Sequence, residues 1–117
     1  MGVSRAPRAP KDLATGGKRL WNRVQRDFEL ADHEESVLLQ ACRIVDVLDR
    51  LQVAIDAGEV IVSSPQGLKT NPAVVEFRQQ ALALAKCMAS LRIPFGDDDL
   101  QPQQRSGVRR AGLSAAR

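Results

Sequence analysis

Apolar positions recur through residues 32–57 at alternating spacings of four and three: Val37, Ala41, Ile44, Leu48, Leu51 and Ile55. Polar and charged residues fill most positions between them. This is the period of a helix with one continuous apolar seam, suited to a second helix. Asp32 is placed to cap its start, with Glu35 three residues later as in a capping box, and Gly58 follows its end. Residues 71–92 repeat the pattern with Val74, Phe77, Ala81, Leu84, Met88 and Leu91. Asn71 suits the N-cap and Pro72 the first helical position, while Ile93-Pro94 closes the pattern. Two helices of similar length with matching seams predict a long antiparallel helical hairpin.

Between the seams the period changes. Val60, Ile61 and Val62 are β-branched, "SSPQG" has turn chemistry, and "LKT" can return as a second strand. A short β-hairpin is therefore expected to connect the two helices. An isolated two-stranded hairpin is marginal in water. Val60 and Val62, together with the helical seams, are thus expected to pack on neighbouring copies of the chain.

Ahead of the hairpin, residues 18–29 read as a shorter amphipathic helix. Trp21, Val24 and Phe28 share one face, with Leu20 beside them, and Lys18, Arg19, Arg23 and Arg26 occupy much of the remainder. Trp21 sits in the apolar register and reads as a packing anchor rather than a base-stacking group. The flanks lack periodicity. Residues 1–17, "MGVSRAPRAPKDLATGG", read as a flexible basic arm with Arg5, Arg8 and Lys11, and residues 96–117 as a flexible tail. The expected organisation is an arm (1–17), a helical domain (18–95) and a tail (96–117), mainly α in class.

Composition narrows the function. The chain has 117 residues, enough for one domain, and is 44% hydrophobic but only 3% aromatic, so the core must be aliphatic. Net charge is only +3, but it is unevenly spread. Residues 1–31 carry seven Lys/Arg against three Asp/Glu, residues 32–60 two against seven, and residues 61–95 four against one. Cys42 and Cys87 fall within helical patterns, far apart, and read as reduced small hydrophobes. No apolar run is long enough to span a bilayer, and no signal peptide is evident, so no membrane partner is expected. "ATGGK" lacks the spacing of a phosphate-binding loop. His33 is the one histidine and lies among acids, without a positioned nucleophile. Asp97, Asp98 and Asp99 form a run with no second ligand cluster. No catalytic activity, cofactor or metal is expected; a binding or assembly protein remains.

Three stretches, "GGKRLWNRV", "FELADHEESVLLQACRIVDVLDRL" and "VIVSSPQGLKTNPAVVEFRQQALALAKCMASLRIP", together resemble the small terminase subunits of tailed double-stranded DNA bacteriophages. The resemblance covers roughly residues 16–95, and its most specific part is G-x-K, x-Asn-Pro and the E-x-R-Q-Q helix. Family members often carry His before this proline, where this chain has Asn71. The resemblance implies a non-catalytic subunit that assembles into a ring and recognises packaging sites on viral DNA. It would deliver that DNA to the large terminase subunit, in the cytoplasm of the infected bacterial host. The residues offered to phosphate are Arg5, Arg8, Lys11, Lys18, Arg19, Arg23 and Arg26, with Lys69 and Arg78 in the second half. For Lys69 and Arg78 a solvated charge or an intersubunit ion pair is an equal alternative. The first helix and the start of the second, with "LAD" as the bend, could form a helix-turn-helix. The competing reading is a structural adaptor of the phage head or connector, whose acidic middle segment meets a basic protein rather than DNA.

Overall fold

The computed structural model describes residues 6–93 and the backbone of residues 108 and 109. It is mainly helical, with three helices and small antiparallel strand pairs. Helix α1 is Thr15–Asp27, α2 is Asp32–Ala57 and α3 is Pro72–Leu91. Strand β1 (Phe28–Glu29) lies between α1 and α2, and β2 (Ile61–Ser64) and β3 (Gly67–Thr70) lie between α2 and α3.

The start of α2 differs by one residue from its expected cap. Ala31 is the N-cap, not Asp32, and has no side chain that can accept. Glu34, three residues on, accepts instead from the Ala31 N–H at 2.9 Å. Glu35, expected in that role, is therefore not the reciprocal cap. Asp32, Glu34 and Glu35 still place carboxylates at the positive end of the helix dipole. At the other end Gly58 is extended, at φ −118°, so it ends α2 without the left-handed turn its glycine suggested.

Asn71 caps α3 as expected. Its Oδ1 accepts from the Ala73 N–H at 2.9 Å, and its Nδ2 donates to the Glu59 carbonyl at 2.8 Å. Its own N–H reaches the Val60 carbonyl at 2.6 Å. One side chain thus ties the start of α3 to the end of α2. Between them β2 and β3 pair antiparallel, Ile61 with Thr70 and Ser63 with Leu68. Gly67, after Pro65-Gln66, sits at φ 112°, a conformation that favours glycine. A further antiparallel pairing sets Phe28–Glu29 opposite β4 (Val108–Arg109).

The core gathers where α1, the first half of α2 and the end of α3 meet. Leu13, Trp21, Val24, Phe28, Leu38, Cys42 and Leu91 form it, with Ala9, Leu20 and Ile93 packed around them. Helix α1 has 13 residues, about 20 Å, whereas α2 has 26, about 39 Å. The last turns of α2 and the first turns of α3 therefore lie beyond the reach of α1 and pack on each other. Burial follows this geometry. In the seams expected to hold the hairpin and neighbouring copies together, Ala41, Ile44, Met88 and Leu91 are buried within one chain. Val37, Leu48, Leu51, Ile55, Val74, Phe77, Ala81 and Leu84 are half-buried.

The expected arm is also corrected. Residues 6–14 lie against the core rather than free of it: Leu13 is buried and Ala9 packs on the cluster. Helix α1 begins at Thr15, three residues before the expected start. Arg5 and most of the expected tail, with Asp97, Asp98 and Asp99, lie outside the described residues.

Candidate nucleic-acid interface

Helix α1 carries the clearest cationic surface, and its position depends on a residue from another helix. Its N-cap is Ala14, and its third helical residue is Gly17; neither side chain can cap. Asp46, buried on α2, does the work of both. Its Oδ2 accepts from the Ala14 N–H at 2.8 Å and its Oδ1 from the Gly17 N–H at 2.7 Å. These are the two amides that a capping box would satisfy from within the helix. The glycine is required by proximity. A Cβ at Gly17 would stand 2.6 Å from Asp46 Oδ2 and 2.8 Å from the Cys42 carbonyl oxygen. The "GG" before Lys18 is thus a helix-crossing feature. The amides that a phosphate would need there are already bonded to a carboxylate.

The segment before α1 adds a second constraint. Trp21 Nε1 donates to the Pro7 carbonyl at 3.0 Å, and Asp12 pairs with Arg43 of α2 at 3.3 Å across an exposed surface. Leu13 fills the space between. Residues 6–14 act as a strap across α1 and α2, carrying exposed Arg8 and Lys11.

With α1 held this way, its two faces separate cleanly. Gly17, Trp21, Val24 and Gln25 are buried, whereas Lys18, Arg19, Arg23 and Arg26 are all exposed. At 3.6 residues per turn the four cations fall within an arc of about 140° and a length of about 12 Å. The one acid in α1, Asp27, sits beside Arg26 at 3.2 Å. That pair is exposed and worth little. Among the described residues, no carboxylate lies within ion-pair distance of Lys18, Arg19 or Arg23, which suits this face to a polyanion.

Lys69 and Arg78 are exposed but lie elsewhere. Arg78 is thirteen residues before Leu91, about 20 Å along α3 from the core that holds α1. Lys69 is farther, in the hairpin opposite Val62. Arg8 and Lys11 are exposed on the strap and Lys18, Arg19, Arg23 and Arg26 on α1, whereas Lys69 and Arg78 lie along the α2–α3 hairpin away from the core. The helix-turn-helix idea fares poorly on charge. The helix following α1 starts with Asp32, Glu34 and Glu35, and phosphate would repel that end.

Sequence reasoning missed Asp46. The signal was present: Leu38, Cys42 and Asp46 are spaced by four, so an acid stands in the apolar stripe that meets α1. Cys42 is fully buried beside it. Burial, reinforced by the Asp46 carboxylate, pushes its thiol up to about 12 against a partial lowering by a hydrogen bond from the Trp21 backbone. Burial also raises Cys87. Such thiols stay protonated and are poor nucleophiles. Among the described residues no group of three His, Cys, Asp or Glu is placed to hold a metal ion. No helix among them is long and apolar enough to cross a membrane. No protein-family model, curated protein or solved structure matches the chain.

Proposed function

We propose that this chain is a non-catalytic DNA-binding subunit of a viral packaging motor, a small terminase subunit of a tailed bacteriophage. It self-assembles into a ring through its helical hairpin, binds double-stranded viral DNA and presents it to the large ATPase and nuclease subunit. The observation that carries the reading is the α1 face, where four exposed cations lie opposite a buried apolar stripe. The resemblance of residues 16–95 to small terminase subunits supplies the biological setting. Binding through Lys18, Arg19, Arg23 and Arg26 is chiefly to phosphate, so it is strong at low salt and weak in sequence information. Copies in a ring multiply a modest charge per chain.

Four phosphate contacts give a slope of about −3.6 in log affinity against log salt, or roughly a hundredfold loss between about 50 and 200 mM. The test is fluorescence anisotropy on a DNA duplex across that range. Arg19→Ala/Arg23→Ala should reduce the slope by about 2 per chain engaged. Unchanged affinity and slope in the double variant would reject the reading. Retained binding of a basic protein partner by a chain that ignores DNA would instead support the adaptor. The exposed acid Asp32, with half-buried Glu35 beside it at the start of α2, favours that second reading.

A further inference from the structure

The exposed residues of α1 are Thr15, Lys18, Arg19, Asn22, Arg23 and Arg26, so the cationic face also carries a neutral amide. One residue turns a helix by about 100°, which sets Asn22 about 40° from Lys18 on one side and about 40° from Arg26 on the other. Arg19 and Arg23 lie farther round, beyond Arg26. Along the axis Asn22 stands midway between Lys18 and Arg26, about 6 Å from each. The fold gives this amide nothing to hold. The chain has two asparagines, and Asn71 uses both ends of its amide, accepting from the Ala73 N–H and donating to the Glu59 carbonyl. Gln25, the other amide on α1, is buried and donates to Glu35. Among the described residues no hydrogen bond engages the Asn22 side chain. Asparagine is a poor helix former, and in the middle of α1 it caps nothing.

The end of α1 decides how a duplex can meet it. The Ala14 and Gly17 amides are bonded to Asp46, so phosphate is turned from the N-terminus to the side of the helix. A major groove about 12 Å wide admits a helix laid along it, with phosphates on both walls and base edges on the floor. Phosphate contacts alone carry no sequence, whereas an amide offers one donor and one acceptor side by side. We infer that α1 lies in the major groove of duplex DNA and that Asn22 reads an adenine there. Its amide nitrogen donates to adenine N7 and its carbonyl oxygen accepts from the N6 amino group. Lys18 and Arg23, at the two edges of the cationic arc, meet the phosphates of the two walls. The inference rests on the DNA-binding part of the proposed function and adds a reading of sequence to it.

The test uses the full chain and Asn22→Ala, which removes the amide while favouring the helix, so circular dichroism should be unchanged. Wild type first enriches a pool of DNA duplexes with a randomised centre. The enriched duplex is then made again with 7-deazaadenine, which lacks the N7 acceptor but keeps the base pairing, the phosphates and the minor groove. By fluorescence anisotropy at one salt concentration, wild type should bind the adenine form at least about fivefold more tightly, the low end for an amide–adenine pair. Asn22→Ala should bind the two forms alike, with its slope in log salt unchanged, because no cation is lost. Arg19→Ala/Arg23→Ala should instead weaken binding to every duplex and lower the slope. Indifference of wild type to 7-deazaadenine, discrimination undiminished in Asn22→Ala, or a pool from which no sequence is enriched would each overturn the inference. Binding that depends on salt but not on sequence would leave the phosphate reading standing without it. A wild type that binds no duplex would defeat both.

Discussion

Replacing Asp46 by alanine tests the arrangement that sets α1 in place. The carboxylate accepts from two backbone amides at 2.8 and 2.7 Å, one of them on buried Gly17. Hydrogen bonds to a charged group contribute about 1.5–3 kcal/mol each. Keeping the carboxylate out of water offsets part of that gain. A net loss of about 2–4 kcal/mol is expected for Asp46→Ala, since no side chain at Ala14 or Gly17 can replace the acceptor. For a chain of this size that lowers the melting temperature by on the order of 10 °C. Asp46→Asn should lie between, because its amide has one oxygen for two donors. Urea unfolding followed by far-UV circular dichroism gives the energies, and hydrogen exchange gives the site. The Ala14 and Gly17 amides should lose protection before those of α3. If Asp46→Ala unfolds within about 0.5 kcal/mol of wild type, the span of an ordinary surface substitution, the reasoning fails.

Four further outcomes follow from the same geometry. Gly17→Ala, which would stabilise an ordinary helix by about 1 kcal/mol, should destabilise this one in a urea titration, because its Cβ meets a backbone carbonyl at 2.8 Å. Leu13→Ala should cost about 2–4 kcal/mol and shift the emission of the single tryptophan to the red, as the strap loosens over Trp21. Asn71→Ala should cost about 1–2 kcal/mol in a thermal melt, and Asn71→Asp less, since Asp keeps the cap to Ala73 and loses the donor to Glu59. Cys42 should resist a thiol reagent until the chain unfolds. Its folded pKa, about 12, is raised above the ordinary thiol value of 9.0, so the stability tied to it is present below pH 9.0 and lost as pH rises towards 12. An alkaline denaturation series on Cys42→Ala and wild type checks this, with the wild type alone showing the extra loss in that window.

Much of the architecture was legible locally. Residues 32–57 and 72–91 announce their helices through apolar periods, and Gly67 and Asn71-Pro72 announce the turn and restart, because those signals act over a few residues. The amphipathic split of α1 was legible too, since Trp21 and Val24 alternate with Lys18, Arg19, Arg23 and Arg26 at helical spacing. Periodicity tells which way a side chain faces but not what lies opposite it. The short reach of α1 decides that Leu38 and Cys42 are buried while Leu51 and Ile55 are half-buried on the same helix. Residues 6–14 have no period, so their role as a strap depended on Leu13 and Pro7 finding the core and Trp21. The cap of α1 is the clearest case. "ATGG" contains no capping side chain, and the carboxylate that replaces one comes from Asp46, twenty-nine residues beyond Gly17. A backbone amide needs a partner wherever the fold supplies it. Composition and spacing thus determined the helices and the cationic stripe, and the crossing of α1 over α2 decided where that stripe is held.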